Sequence, residues 1–150
     1  MVFEWEQVLK HVISDVLETM FFSMVDFEEC EPGDRSFDYG SEIHLLNHTG
    51  RTAISLQVSE EFARMITANF LGIEEGDVSE DDMKDSLKEL ANMVGGGYHA
   101  RLKEAGWRLG IPRVWKIGPE SMDTTQWETG LDFAFLGEPA GAAMVNYLPA

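Results

Sequence analysis

Apolar residues recur at three- and four-residue steps near the start of the chain: Trp5, Leu9, Val12, Ile13, Val16, Leu17, Met20 and Met24. That period predicts an amphipathic helix over residues 3–25, with Asp15 and Glu18 on its polar side. A loop is expected from Glu28 to Gly40, with Pro32-Gly33-Asp34 as turn chemistry. Residues Ser41–Asn47 and Arg51–Val58 read as strands, and His48-Thr49-Gly50 is short enough to close a hairpin. Ser59-Glu60-Glu61 then opens a second helix, with serine as N-cap and acids in the first turn. Phe62, Met65, Ile66, Phe70 and Leu71 supply its apolar face, and Gly72 can end it. After an acidic connector, Glu74 to Val78, Ser79 caps a third helix expected to reach about Glu104. Gly106–Pro112 and Arg113–Ile117 are strand-like. Leu131–Leu136 and Ala143–Leu148 form a last pair, linked by the turn formers Gly-Glu-Pro-Ala-Gly.

Helices and strands do not alternate strictly in this order, which disfavours a doubly wound parallel sheet. The pattern predicts an α+β fold, a largely antiparallel sheet covered by long helices, in a single domain over residues 1–150. Ser14-x3-Glu18-x2-Phe21 in the first helix repeats the spacing of Asp85-x3-Glu89-x2-Asn92 in the third. Coincidence and a two-half pseudo-symmetry both account for that echo.

The third helix carries the chain's main anomaly, the run Gly95-Gly96-Gly97. Each glycine in a helix interior costs about 1 kcal/mol relative to alanine. Placing Met83 at zero on a helical wheel puts Leu87, Leu90 and Val94 within about 40° of it. Asp85, Glu89, Asn92 and Gly96 cluster on the other side, at about 180–240°. A solvated polar face explains most helices of this kind, but it gives no reason for the glycines. Gly96 would let another molecule approach closely, and Gly95 and Gly97 would relieve crowding against adjoining elements.

Charge narrows the choice of partner. Twenty-seven acidic residues against eleven basic ones give a net charge of −16. Such a field repels phosphate backbones and anionic membrane surfaces, so neither nucleic acid nor membrane is an expected partner. Cys30, the single cysteine, cannot form an intrachain disulfide. The N-terminal residues do not resemble a secretory signal, and no apolar run reaches the ~18 residues of a membrane span. The expected location is the cytoplasm.

The candidate chemistry is sparse. An asparagine amide can orient a substrate or a water molecule, and a glutamate can pair with lysine or arginine. No Ser/His/Asp set, metal-ligand spacing or phosphate loop accompanies them. His11, His44, His48 and His99 read as ordinary surface or half-buried residues. Glu89 and Asn92 are thin apparatus for an enzyme acting alone, but enough to complete another protein's active site.

Asp85-x3-Glu89-x2-Asn92, followed by a downstream proline and set in Glu-Leu-Ala-Asn-Met-Val-Gly-Gly, resembles the signature of the CheC/CheX/FliY phosphatases of bacterial chemotaxis. The text looks closest to CheX-like members, and the resemblance extends from the first helix to the final strands. It implies a phosphatase that removes the phosphoryl group from the phospho-aspartate of a CheY-like response-regulator receiver. Asn92 would orient the attacking water and Glu89 would pair with the receiver's lysine. Asp85 and Gly96 would belong to the partner-binding surface. The resemblance implies no cofactor or metal of the chain's own, with Mg²⁺ expected in the receiver, and it implies a homodimer.

Two departures stand out. The candidate proline, Pro112, follows Asn92 with nineteen residues between them, closer than the signature usually has it. Some relatives carry two active helices, whereas here the first helix has Phe21 at the asparagine position, so one site per chain is expected. The alternative reading is a non-catalytic receiver-binding or scaffold module. A third is a structural domain without a receiver partner.

Overall fold

The computed structural model describes residues 5–29, 37–102, 106–118 and 130–149. Met1 to Glu4, Cys30, the Pro32-Gly33-Asp34 turn and Glu104 lie outside these residues. The elements run α1 (Trp5–Met20), β1 (Asp26–Glu29), β2 (Tyr39–Asn47), β3 (Gly50–Val58) and α2 (Glu60–Leu71). A short 3₁₀ turn (Glu75–Asp77) leads to α3 (Glu80–Arg101), β4 (Arg108–Leu109), β5 (Arg113–Lys116), β6 (Leu131–Phe135) and β7 (Glu138–Pro149).

All strand pairs are antiparallel, in the order β1-β6-β7-β3-β2-β4, with β5 also pairing β2. This is the expected α+β architecture. Alternation decides which face the helices cover. Ile43 and Leu45 on β2, and Ile54, Leu56 and Val58 on β3, are buried. They join Leu9, Ile13 and Leu17 of α1, Ile66 of α2 and Met83, Leu87 and Val94 of α3 in one core. Glu42 and His44 alternate with Ile43 and Leu45, and so take the opposite face of β2.

Local signals placed both ends of α2 well. The Ser59 hydroxyl accepts the Phe62 N–H at 3.1 Å and caps α2. Gly72 ends that helix in the left-handed conformation, φ 70°, its N–H bonded to the Ala68 carbonyl. At the first hairpin, the Asn47 side chain accepts the N–H groups of Thr49 and Gly50.

Four expectations need correction. The first helix ends at Met20 rather than at residue 25. There the chain turns through Phe22, at φ 54°, and the Ser23 N–H reaches back to the Leu17 carbonyl at 2.9 Å. Met24 is therefore exposed instead of extending the apolar stripe. The segment after α1 is also not simply a loop, since Asp26–Glu29 pairs with β6. Among Gly106–Pro112 only Arg108–Leu109 forms a strand. Finally, the last hairpin turns at Leu136-Gly137, and the supposed linker Glu138–Gly141 is already strand β7.

Candidate functional site

Helix α3 starts from a reciprocal cap. The Ser79 hydroxyl accepts the Asp82 N–H and the Asp82 carboxylate accepts the Ser79 N–H, both at 3.0 Å. Glu80, Asp81 and Asp82 then meet the positive end of the helix dipole. Glu80 is shared between Lys84, at 4.0 Å, and Lys116 of β5, at 3.8 Å. From this anchored start the helix runs 22 residues, about 33 Å at 1.5 Å per residue.

Its two faces divide as the wheel predicts. Met83, Leu87, Leu90, Val94 and Tyr98 are buried. Asp85, Glu89 and Asn92 are exposed on the other side. Among the described residues, the side chains of these three have no hydrogen bond or ion pair, so they are free to engage another molecule. Lys88 was not singled out from the sequence, yet it is exposed on the same side, at about 140° on the wheel. The wheel itself was the signal for it, since Lys88 stands one turn before Asn92.

The glycine run resolves into two roles. A β-carbon on Gly95 would stand 2.8 Å from Ile43 Cγ2 and 3.0 Å from Leu109 Cδ1. One on Gly97 would stand 2.8 Å from Val12 Cγ1. Gly95 thus lets α3 settle onto β2 and β4, and Gly97 lets it settle against α1. A β-carbon on Gly96 would meet nothing within 4 Å, so this residue leaves open space on the side of Glu89 and Asn92.

The remaining candidates lie apart. Pro112 is half-buried between β4 and β5, at the sheet edge beside β2. His99 is on α3, but its Nε2 is 2.7 Å from the Trp107 carbonyl. His44 Nε2 lies 2.7 Å from Glu42, whose carboxylate also takes Arg113 at 3.1 Å and the Ser55 hydroxyl at 3.2 Å. His11 and His48 are exposed. Phe21 is fully buried just past the end of α1, stacked on Phe70 with ring centroids 4.9 Å apart. The third position of the sequence echo is therefore off the helix.

Burial pushes the Tyr98 phenol up to about 12. Burial, then the charges of Glu80 and Glu60, raise Tyr39. Both phenols stay protonated near neutral pH. Among the described residues no three His, Cys, Asp or Glu side chains gather as a metal site, and no helix is long and apolar enough to cross a membrane. The arrangement is an exposed helix face with an amide and a carboxylate on it, three residues apart. An exposed amide can hold a water molecule, and an exposed carboxylate can pair with a cation.

Known proteins share this architecture. CheX from Vibrio vulnificus superposes with a TM-score of 0.77 at 19% identity, over 97% of this chain and 100% of that one. CheX in the CheX–CheY–BeF3–Mg²⁺ complex from Borrelia burgdorferi gives 0.72 at 16% identity, over 96% and 97%. FliY from Thermotoga maritima gives 0.62 at 12% identity, over 100% and 93%. No curated protein matches the sequence. The family model for the chemotaxis phosphatase CheX does, over residues 44–136, a span that includes the whole of α3. The chain belongs to the CheX family of chemotaxis phosphatases.

Proposed function

We propose that this protein dephosphorylates the phospho-aspartate of a CheY-like receiver, with Asn92 and Glu89 of α3 as its working side chains. The observation that carries this reading is their joint exposure, without partners among the described residues, beside the open space at Gly96. Asn92 enters the receiver's active site and holds a water molecule in line with phosphorus. The water oxygen bonds to phosphorus, the phosphorus–aspartate oxygen bond breaks, and inorganic phosphate and the free carboxylate result. Positioning of this kind can supply much of a phosphoryl-transfer rate enhancement without a protein base. Glu89 pairs with the receiver's lysine and fixes the register of docking. Asp85 and Gly96 line the contact. Mg²⁺ held by the receiver neutralises charge on the transferred group. The reading includes one site per chain, a homodimer and a cytoplasmic location.

The CheX family membership and the CheX–CheY complex of Borrelia burgdorferi support this choice of partner. The test follows phosphate loss from a phosphorylated CheY-like receiver with and without the protein. Asn92→Ala should abolish most of the acceleration while retaining docking, and Glu89→Lys should weaken docking. Receiver binding with no faster phosphate loss by the unaltered protein would favour the scaffold reading instead.

A further inference from the structure

Away from α3, a concavity of about 770 Å³ opens between the first turns of α2 and the β6–β7 turn. Phe62, Met65, Phe135 and Pro139 give it an apolar floor, and Glu60, Glu61, Glu75 and Glu138 stand around it. Among the described lining residues the one cation is Arg64, and it is already engaged. Its guanidinium donates to the Val78 carbonyl at 2.8 Å and lies 3.5 Å from Glu60. No described lining residue belongs to α3, so the groove is separate from the Glu89–Asn92 face.

Leu136, which lines this groove, has no explanation among the described residues. It is 85% exposed, so its side chain gains almost nothing from burial. It also sits at φ 51°, followed by Gly137 at φ 84°, in a two-residue turn with both positions left-handed. Such turns favour asparagine, aspartate or glycine at the first position, because a bulky side chain crowds the backbone there. Solvent and backbone geometry thus both disfavour leucine, and burial against a partner would offset the two.

We propose that this groove docks a basic segment of another protein, which inserts an apolar side chain beside Leu136 and sets lysine or arginine among the four glutamates. The apolar floor supplies the anchor pocket, and the charged rim sets orientation and association rate. An anionic membrane or a nucleic acid is repelled by the same rim.

The test is a fluorescence-anisotropy titration, at physiological salt, with a labelled synthetic amphipathic peptide bearing leucines on one face and lysines on the other. A peptide of equal composition with scrambled order is the control. The ordered peptide should bind more tightly than the scrambled one. Leu136→Asn should weaken it about tenfold or more, as expected for an interface anchor, while raising Tm because asparagine suits the turn. Glu61→Lys with Glu138→Lys should weaken binding, whereas Glu6→Lys with Glu18→Lys on α1, an equal change of net charge, should leave it unaltered. Absence of binding, equal binding of the scrambled peptide, no effect of Leu136→Asn, or an equal loss from the α1 pair would each overturn the proposal.

Discussion

Gly97 of α3 lies against Val12 of α1 so closely that a β-carbon at position 97 would stand 2.8 Å from Val12 Cγ1. Valine is branched at Cβ and cannot swing that methyl aside without leaving its preferred rotamer. Gly97→Ala should therefore destabilise the fold. Overpacking of about 1–3 kcal/mol outweighs the helix-propensity gain of about 1 kcal/mol. Gly95→Ala should behave alike, since its β-carbon would meet Ile43 Cγ2 at 2.8 Å. Gly96→Ala meets nothing and should stabilise the protein by about 1 kcal/mol. Urea unfolding of the three variants checks this, and a common sign for all three would contradict the two roles assigned to the run.

The same glycine separates stability from function. If a receiver closes on the Glu89–Asn92 face, Gly96→Ala should fold better and dephosphorylate worse. Asn92→Ala should keep the stability of the parent, because its side chain is exposed and has no partner among the described residues. Its phosphatase rate should fall by about 10²-fold or more, the usual effect of removing one group that acts in the transition state. Glu89→Lys should raise the apparent KM for the phosphorylated receiver more than it lowers kcat. Receiver titrations with separately determined kcat and KM distinguish the two variants.

The structure also shows where sequence reasoning succeeds. Ser59, Gly72 and Ser79 mark helix ends through bonds to residues within four positions of themselves, so their effect was legible locally. The placement of Asp85, Glu89 and Asn92 on one exposed face was legible for a similar reason, since a long helix with a clean core stripe fixes its own back side. Distant contacts decided the rest. The apolar period of α1 runs on to Met24, but the Asn69 amide of α2 takes the Phe21 carbonyl at 3.0 Å and Phe70 stacks on Phe21. Those contacts accompany the sharp exit through Phe22. Strand β1 pairs with β6, far along the chain. Gly141 looked like a turn residue, yet it sits in β7, where a β-carbon would collide with the Gln57 carbonyl and the Phe133 ring. Pro139 is tolerated in the same strand at the point where the β6–β7 register shifts.

Tyr98 predicts how the fold fails in base. Its phenol ordinarily ionises at 10.0, and burial raises it to about 12 in the folded protein. A raised folded-state pKa leaves stability flat below the unfolded value. Stability then falls as pH climbs from about 10 to about 12, because the unfolded chain releases the proton first. One such group contributes a slope of at most about 1.4 kcal/mol per pH unit. Urea midpoints followed by circular dichroism across that range should fall, and Tyr98→Phe should flatten the decline whatever its effect at neutral pH. An unchanged slope would show that other groups govern unfolding in base.

Phe21→Asn tests whether the first helix can be turned into a second active one. In sequence the change restores the signature spacing, since Ser14 and Glu18 already stand where Asp85 and Glu89 stand in α3. In the structure position 21 lies beyond the last residue of α1, fully buried and stacked on Phe70. An asparagine there would leave most of the ring's volume empty and place an amide among apolar neighbours. The cavity and the buried polar group together should cost about 3–5 kcal/mol. The variant should therefore unfold at markedly lower urea and show no gain in phosphatase rate. In combination with Asn92→Ala it should remain as inactive as Asn92→Ala alone. Recovery of activity in that double variant would mean that the end of α1 can rearrange to present residue 21 outward, and would restore the first helix as a latent second site.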